Sequence, residues 1–334
     1  QLALPPALAG SFAAGNGGVI DLSALFAVLI VTILLWRGTN TTARVENVLV
    51  IGKVLVILIF IGVGLTAIHP ANYVPFIPAH KPGTDFGGWQ GIFAGAAQIF
   101  LAYIGFDSIA ANSAEAKDPK KTMPRGIIGS LVIATILFVT VALVLVGMFH
   151  YSKYANNAAP AAWALLNSGH EFTSNLLSVV ALVGMFTAII GMMLAGSRLL
   201  YAFGRDGLLP KFLGKVNDKG LPNNALLVLS VIAILIGSVF SFTELAGLIS
   251  AGTLIAFIIV SLGVYALRPR EGKDIPVPGF KMPLYPVLPA LAALGSGFIF
   301  YQLDNQAKLY AFGWFVLGLI IYAAYGARHS KISR

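Results

Sequence analysis

Three charged side chains lie inside long apolar runs or at their interruptions: Lys53, Asp107 and, at the very end of its run, Arg198. A charge within hydrocarbon costs about 2.5–3.5 kcal/mol on insertion scales, so each of these residues calls for a reason. Lys53 stands before the run VLVILIFIGVGL. Desolvation disfavours the charged form of an amine, which would let a buried lysine gain and lose a proton. The competing reading is a stem that snorkels to the interface, since the residue sits about 10 Å from the nearer end of its run at 1.5 Å per residue. Asp107 closes the stretch GIFAGAAQIFLAYIGFD and is followed by Ser108, Asn112 and Ser113. Gly105 and the polar residues beyond it make a poor helix and poor hydrocarbon. Unwound backbone at membrane depth is tolerated only around a cavity or protein interior, and transporters use such breaks to bind substrates with free carbonyls and half-helix ends. The alternative for Asp107 is pairing with a neighbouring helix for packing. Arg198, with Tyr201, Arg205, Asp206 and Gly207 after it, is read as a topological anchor.

Little other chemistry can be assembled. There is no cysteine, which removes disulfides, thiol catalysis and cysteine metal sites. His69, His80, His150 and His170 lie in connecting segments without metal-ligand spacing and are read as interfacial polar residues, so no metal or other cofactor is expected. An intramembrane aspartyl protease needs two intramembrane aspartates and only Asp107 qualifies; no GxSG nucleophile segment is present. The chain is therefore not expected to be an enzyme. Its net charge of +9 comes from basic residues in the connections, so nucleic acid is not an expected partner.

The elements that must position Lys53 and Asp107 follow from composition. The chain is 57% hydrophobic and 10% charged, against about 25% charged in soluble domains. Its mean hydropathy is +0.85. These values point to an all-α integral membrane protein in contact with lipid; the long unbroken apolar runs exclude an outer-membrane barrel. Nine spans are expected, at about 19–36, 46–68, 91–113, 126–149, 172–200, 223–242, 244–267, 284–303 and 309–327 of a single membrane domain. The division within 223–267 rests on a short break at Ser241, Phe242, Thr243 and Glu244. With the N-terminus outside, eighteen of the 22 basic residues fall on the inner side. Only Lys81, Lys153 and Lys308 fall outside, and Lys53 lies within a span. That bias places the C-terminus in the cytoplasm. Trp36, Trp89 and Trp314 sit near span ends, as belt residues do.

These segments carry a family resemblance. GFDSIAANSAEAKDPKKTMPRGI resembles the sixth-helix signature of amino acid permeases in the amino acid–polyamine–organocation superfamily, nearest to cationic amino acid transporters and their bacterial homologues. RLLYAFGRDGLLP is similar to the segment after that family's eighth helix, and LISAGTLIAFIIVSLGVYALRPR to its tenth. The resemblance covers essentially the whole chain. It implies a broken-helix, inverted-repeat transporter fold whose helices four to twelve match the nine spans. The family's first three helices are then apparently lacking, with a natural start upstream of Gln1 as one explanation. It also implies that carbonyls at Leu101 and Ile104 receive the ammonium of an amino acid, with Gly105 permitting the break and Asp107 serving gating or proton linkage. Lys53 would replace the sodium ion of sodium-coupled cousins, with partners on the first and eighth helices. Thr187, Met192 and Met193 on the eighth are weak candidates for the substrate pocket.

The expected function is secondary active transport of amino acids across the plasma or inner membrane, coupled to protons. An obligate exchanger, or a non-transporting sensor or partner on the same fold, remains an alternative. The topology is testable on this cysteine-free background: a single cysteine at Lys120 should react with a membrane-impermeant maleimide only after cells are opened. Labelling of sealed cells would reverse the orientation.

Overall fold

A computed structural model describes residues 21–38, 42–84, 86–106, 108–111, 118–155, 157 and 159–331. It is built of helices, with an isolated β-bridge between Glu271 and Ile275. Helix α1 (Leu22–Arg37) begins where the Asp21 carboxylate accepts the Ala24 N–H at 3.0 Å, satisfying one orphan donor of the first turn. Helix α2 (Thr42–Leu65) carries Lys53. Next come α3 (Gly88–Ile99), a 3₁₀ turn at Phe100–Tyr103 and the short α4 (Ser108–Ala111). Helix α5 (Pro119–Met148) opens with proline at its first position, where a missing N–H costs nothing. After α6 (Pro160–Asn167), α7 (Glu171–Arg205) runs for 35 residues, about 52 Å at 1.5 Å per residue. Helices α8 (Asn223–Val239), α9 (Phe242–Leu267), α10 (Val287–Gln302) and α11 (Asn305–Ile321) follow. A π turn at Tyr322–Gly326 and the three-residue α12 (Ala327–His329) complete the order.

Among the described residues, five helical segments are long and apolar enough to cross a membrane: Val48–Leu65, Pro119–Met148, Glu171–Arg205, Phe242–Arg270 and Asn305–His329. The apolar α1, α8 and α10 are shorter. At the short break expected at Ser241, Phe242, Thr243 and Glu244 the structure has a two-residue joint, Phe240 and Ser241. The Ser241 hydroxyl accepts the Glu244 N–H at 3.3 Å and the Glu244 carboxylate accepts the Ser241 N–H at 2.9 Å. This reciprocal cap lets α9 restart directly after α8 ends, with donors of both Ser241 and Glu244 satisfied.

Packing divides the helices into two groups. Helices α1, α2, α5, α6, α7 and α8 contact one another, while α9 packs with α10 and α11. In the first group Val31 and Leu35 of α1 bury against Met193 of α7 and Leu226 of α8. Buried hydroxyls join the same helices, Thr32 Oγ1 lying 2.8 Å from Ser230 Oγ. A second cluster gathers Phe60, Val144, Met148, Ala164 and Leu165 from α2, α5 and α6. In the other group Ala97 of α3 packs with Ala251 and Leu254 of α9 and with Leu303 and Ala311. Helix α3 thus belongs with α9 and α10, whereas α4 contacts α5 and α7. The segment between them crosses from one group to the other.

The cap between α8 and α9 yields a stability test. Ser241→Ala should lower stability by about 1 kcal/mol, read as a drop of a few degrees in the melting midpoint of the purified protein. Ser241→Asp, which keeps an acceptor, should retain most of it. Equal loss in both variants would assign the effect to something other than the cap.

Candidate functional site

The third expected span is interrupted where the sequence places Gly105. Regular α-helix stops at Ile99, and the 3₁₀ turn ends with the Ile104 N–H donating to the Leu101 carbonyl at 3.1 Å. Ile104 is extended, with φ −68° and ψ 131°. Gly105 has φ +129°, a value that L side chains avoid and glycine adopts freely. Helix resumes at Ser108. The Leu101 carbonyl is thus already engaged by one N–H; a carbonyl has two lone pairs, so it retains capacity for a second donor. Asp107, which the sequence singles out beside this break, lies outside the described residues.

A cavity of about 240 Å³ opens beside the break. The break contributes Tyr103, Ile104, Gly105 and Phe106 to its wall, and α5 contributes Ser130, Leu131 and Ala134. Aromatic rings hold the break on both sides. Tyr103 meets Phe138 of α5 edge-on at 5.3 Å, while Phe100 and Phe106 lie 6.2 and 5.6 Å from Phe257 of α9. The α5 face was not singled out from the sequence. Its one visible signal is Ser130 in an apolar run, with Leu131 and Ala134 at helical spacing from it.

Lys53 lies apart from this cavity. Its Nζ donates to Thr187 Oγ1 of α7 at 2.6 Å, and the Thr187 hydroxyl donates to the Gly184 carbonyl at 2.8 Å. Thr187 is only 4% exposed. Gly184 makes room for the lysine stem: a Cβ there would sit 3.1 Å from Lys53 Cδ. The amine is therefore directed across the α2–α7 contact into a polar seat made by one turn of α7. Gly184 was not anticipated, although its spacing of three from Thr187 puts both on one helix face.

The three eighth-helix candidates separate. Thr187 serves Lys53 and does not line the cavity at the break. Met193 is buried in the opposite direction, against Val31, Leu35 and Leu226. Met192 faces the break, its Cε 3.2 Å from where a Cβ on Gly105 would stand. Among the described residues no group of three histidine, cysteine or carboxylate side chains is placed to hold a metal.

This arrangement of a broken helix and a seated lysine coincides with an extended sequence match. The model of the amino acid permease family matches residues 9–325. The chain belongs to the amino acid permease family. It is 58% identical over 328 residues to the branched-chain amino acid permease BcaP of Lactococcus lactis subsp. cremoris, across 98% of this chain and 70% of that protein. It is 34% identical over 335 residues to the methylthioribose transporter of Bacillus subtilis, across 100% of this chain and 70% of that protein. It is 32% identical over 283 residues to the chloroplastic cationic amino acid transporter 9 of Arabidopsis thaliana, across 82% of this chain and 48% of that protein. The resemblance to the amino acid–polyamine–organocation superfamily is thereby established, and the permease is a multi-pass membrane transport protein, not an enzyme.

Two different costs of altering the break can be separated in this permease. Gly105→Ala should cost about 1–3 kcal/mol of stability, because alanine is strained at this φ. Met192→Ala removes the neighbouring methyl group, so Gly105→Ala placed in that background tests crowding alone. Most of the loss should persist in the double variant, measured by thermal melting in detergent. Full recovery would assign the loss to the methionine contact.

Proposed function

We propose that this permease is a proton-coupled carrier of amino acids with branched aliphatic side chains, working by alternating access around the break at 104–106. The observation that carries the reading is the interrupted α3–α4 segment, which crosses between the two helix groups beside an apolar-walled cavity. The carbonyls of Leu101 and Ile104 would accept the substrate ammonium. The side chain would enter the cavity, where Ile104, Ile109, Leu131 and Ala134 offer apolar surface and no described lining residue is charged. That lining suits an aliphatic substrate better than a cationic one, in accord with the 58% identity to a branched-chain permease. The 34% identity to a methylthioribose transporter makes substrate choice a property of such pocket residues rather than of the fold.

Proton linkage would reside in Lys53, with Asp107 as a second contributor. A protonated amine bound to Thr187 ties α2 to α7, and its deprotonation would weaken that tie. This is the part a coupling cation plays in an inverted-repeat carrier. Nine membrane spans, with the C-terminus cytoplasmic, complete the reading.

Reconstituted vesicles loaded without amino acid test it. An inside-alkaline pH jump should drive accumulation of leucine, isoleucine or valine, and excess unlabelled lysine should compete poorly. Lys53→Met should still bind leucine but lose pH-driven accumulation. Uptake that requires internal amino acid would establish an exchanger instead, and fully proton-driven uptake by Lys53→Met would leave the lysine as an interfacial anchor.

A further inference from the structure

A second and larger cavity, of about 420 Å³, lies away from the break, where α2, α5 and α6 end. Three basic side chains line it: His69 beyond α2, and His150 and Lys153 beyond α5. Asn167 and Ser168 at the end of α6 complete the polar wall. No acidic side chain is among the described lining residues.

Three helix C-termini would ordinarily favour a cation. Here carbonyls at each end are engaged; on α2 the Thr66 and Ala67 N–H groups donate to the Val63 and Gly64 carbonyls at 3.1 and 3.0 Å. The His69 N–H donates to the Gly147 carbonyl at 2.9 Å. The Asn72 amide donates to the Gly147 and Met148 carbonyls at 2.8 and 3.1 Å. The Ser168 hydroxyl reaches the Ala164 and Leu165 carbonyls at 2.9 and 3.0 Å. The Tyr154 hydroxyl donates to the Leu145 carbonyl at 2.6 Å, and burial pushes its phenol up to about 12, so it brings no charge. What remains directed at the cavity is basic. The Lys153 ammonium stands over the Phe149 ring, 5.7 Å from its centroid, and His150 keeps one ring nitrogen beyond its 2.9 Å contact with Ser152.

The level of the cavity narrows the ligand. Val48–Leu65 and Pro119–Met148 are apolar up to these ends, so the cavity lies where hydrocarbon gives way to headgroups. Headgroup phosphates lie at that level in either leaflet, and lysine and histidine side chains can meet them with charge-assisted hydrogen bonds. We propose that this cavity is a binding site for a phosphate-bearing anion, either the headgroup of an anionic phospholipid or free phosphate, held by Lys153, His150 and His69. The plainer role for these residues is to complement the helix dipoles; that role affects stability without any dependence on the anion.

The test uses the full chain purified in detergent. Native mass spectrometry would follow binding of dioleoyl-phosphatidylglycerol against dioleoyl-phosphatidylcholine, and thermal melting would compare inorganic phosphate with chloride at equal ionic strength. Lys153 is exposed, so Lys153→Gln should fold normally; it should weaken anion binding about tenfold, the loss expected for one charge-assisted bond. The His150→Gln, Lys153→Gln double variant should abolish binding, and Lys308→Gln, at another site, should not alter it. Preference for phosphatidylglycerol identifies a lipid site, whereas a response to phosphate alone identifies a free-anion site. The proposal is overturned if neither probe is preferred over its control, or if Lys153→Gln and the double variant bind both as the parent does.

Discussion

Backbone N–H and C=O groups that leave the helical ladder inside hydrocarbon find no water, and each one left bare costs several kcal/mol. The arrangement of this permease follows from meeting that constraint at one interruption. Between Ile99 and Ser108 the chain leaves regular helix, yet the Ile104 N–H still finds the Leu101 carbonyl and the break is walled by α5 and α9. The interruption is set where α3, packed with α9 and α10, hands over to α4, packed with α5 and α7. The carbonyl of Leu101 keeps a lone pair in reserve next to residues that wall an apolar cavity.

The same economy of polar groups governs the lysine. An amine within a span costs less where it has a partner, and one turn of α7 supplies both an acceptor for one of its three donors and the space for its stem. Thr187 is oriented by its own bond to the Gly184 carbonyl, and the absent side chain of Gly184 admits the lysine stem. Breaking any of these contacts exposes the others, so the group acts as a unit joining α2 to α7. At the C-terminal ends of α5 and α6 the solution differs: carbonyls are capped by Asn72, Tyr154 and Ser168, and basic side chains stand nearby.

Much of this was legible in the residues. The break near Gly105 could be read because glycine, a neighbouring acid and a polar stretch contradict the apolar run around them. The joint between α8 and α9 was legible as a short break at Ser241, Phe242, Thr243 and Glu244, while its reciprocal cap is seen in the structure. The lysine announced itself by charge. Its partner did not, because Lys53 and Thr187 are 134 residues apart and nothing local to either specifies the pairing. Thr187 consequently drew attention as a pocket residue, whereas packing makes it the lysine's acceptor.

The sequence by itself determined what local chemistry can dictate: apolar helices, the glycine at a conformation other residues avoid, the capped joint, and a charge that must be housed. The tertiary structure alone decided which faces meet. Met192 and Met193 are neighbours of similar chemistry, and an apolar helix has no polar stripe to mark its inward side. About 100° of rotation per residue sends one toward Gly105 and buries the other among Val31, Leu35 and Leu226. In lipid, where apolar side chains are at home on every face, close packing and the few polar pairs fix that rotation. Those contacts are made between distant parts of the chain and exist only once it has folded.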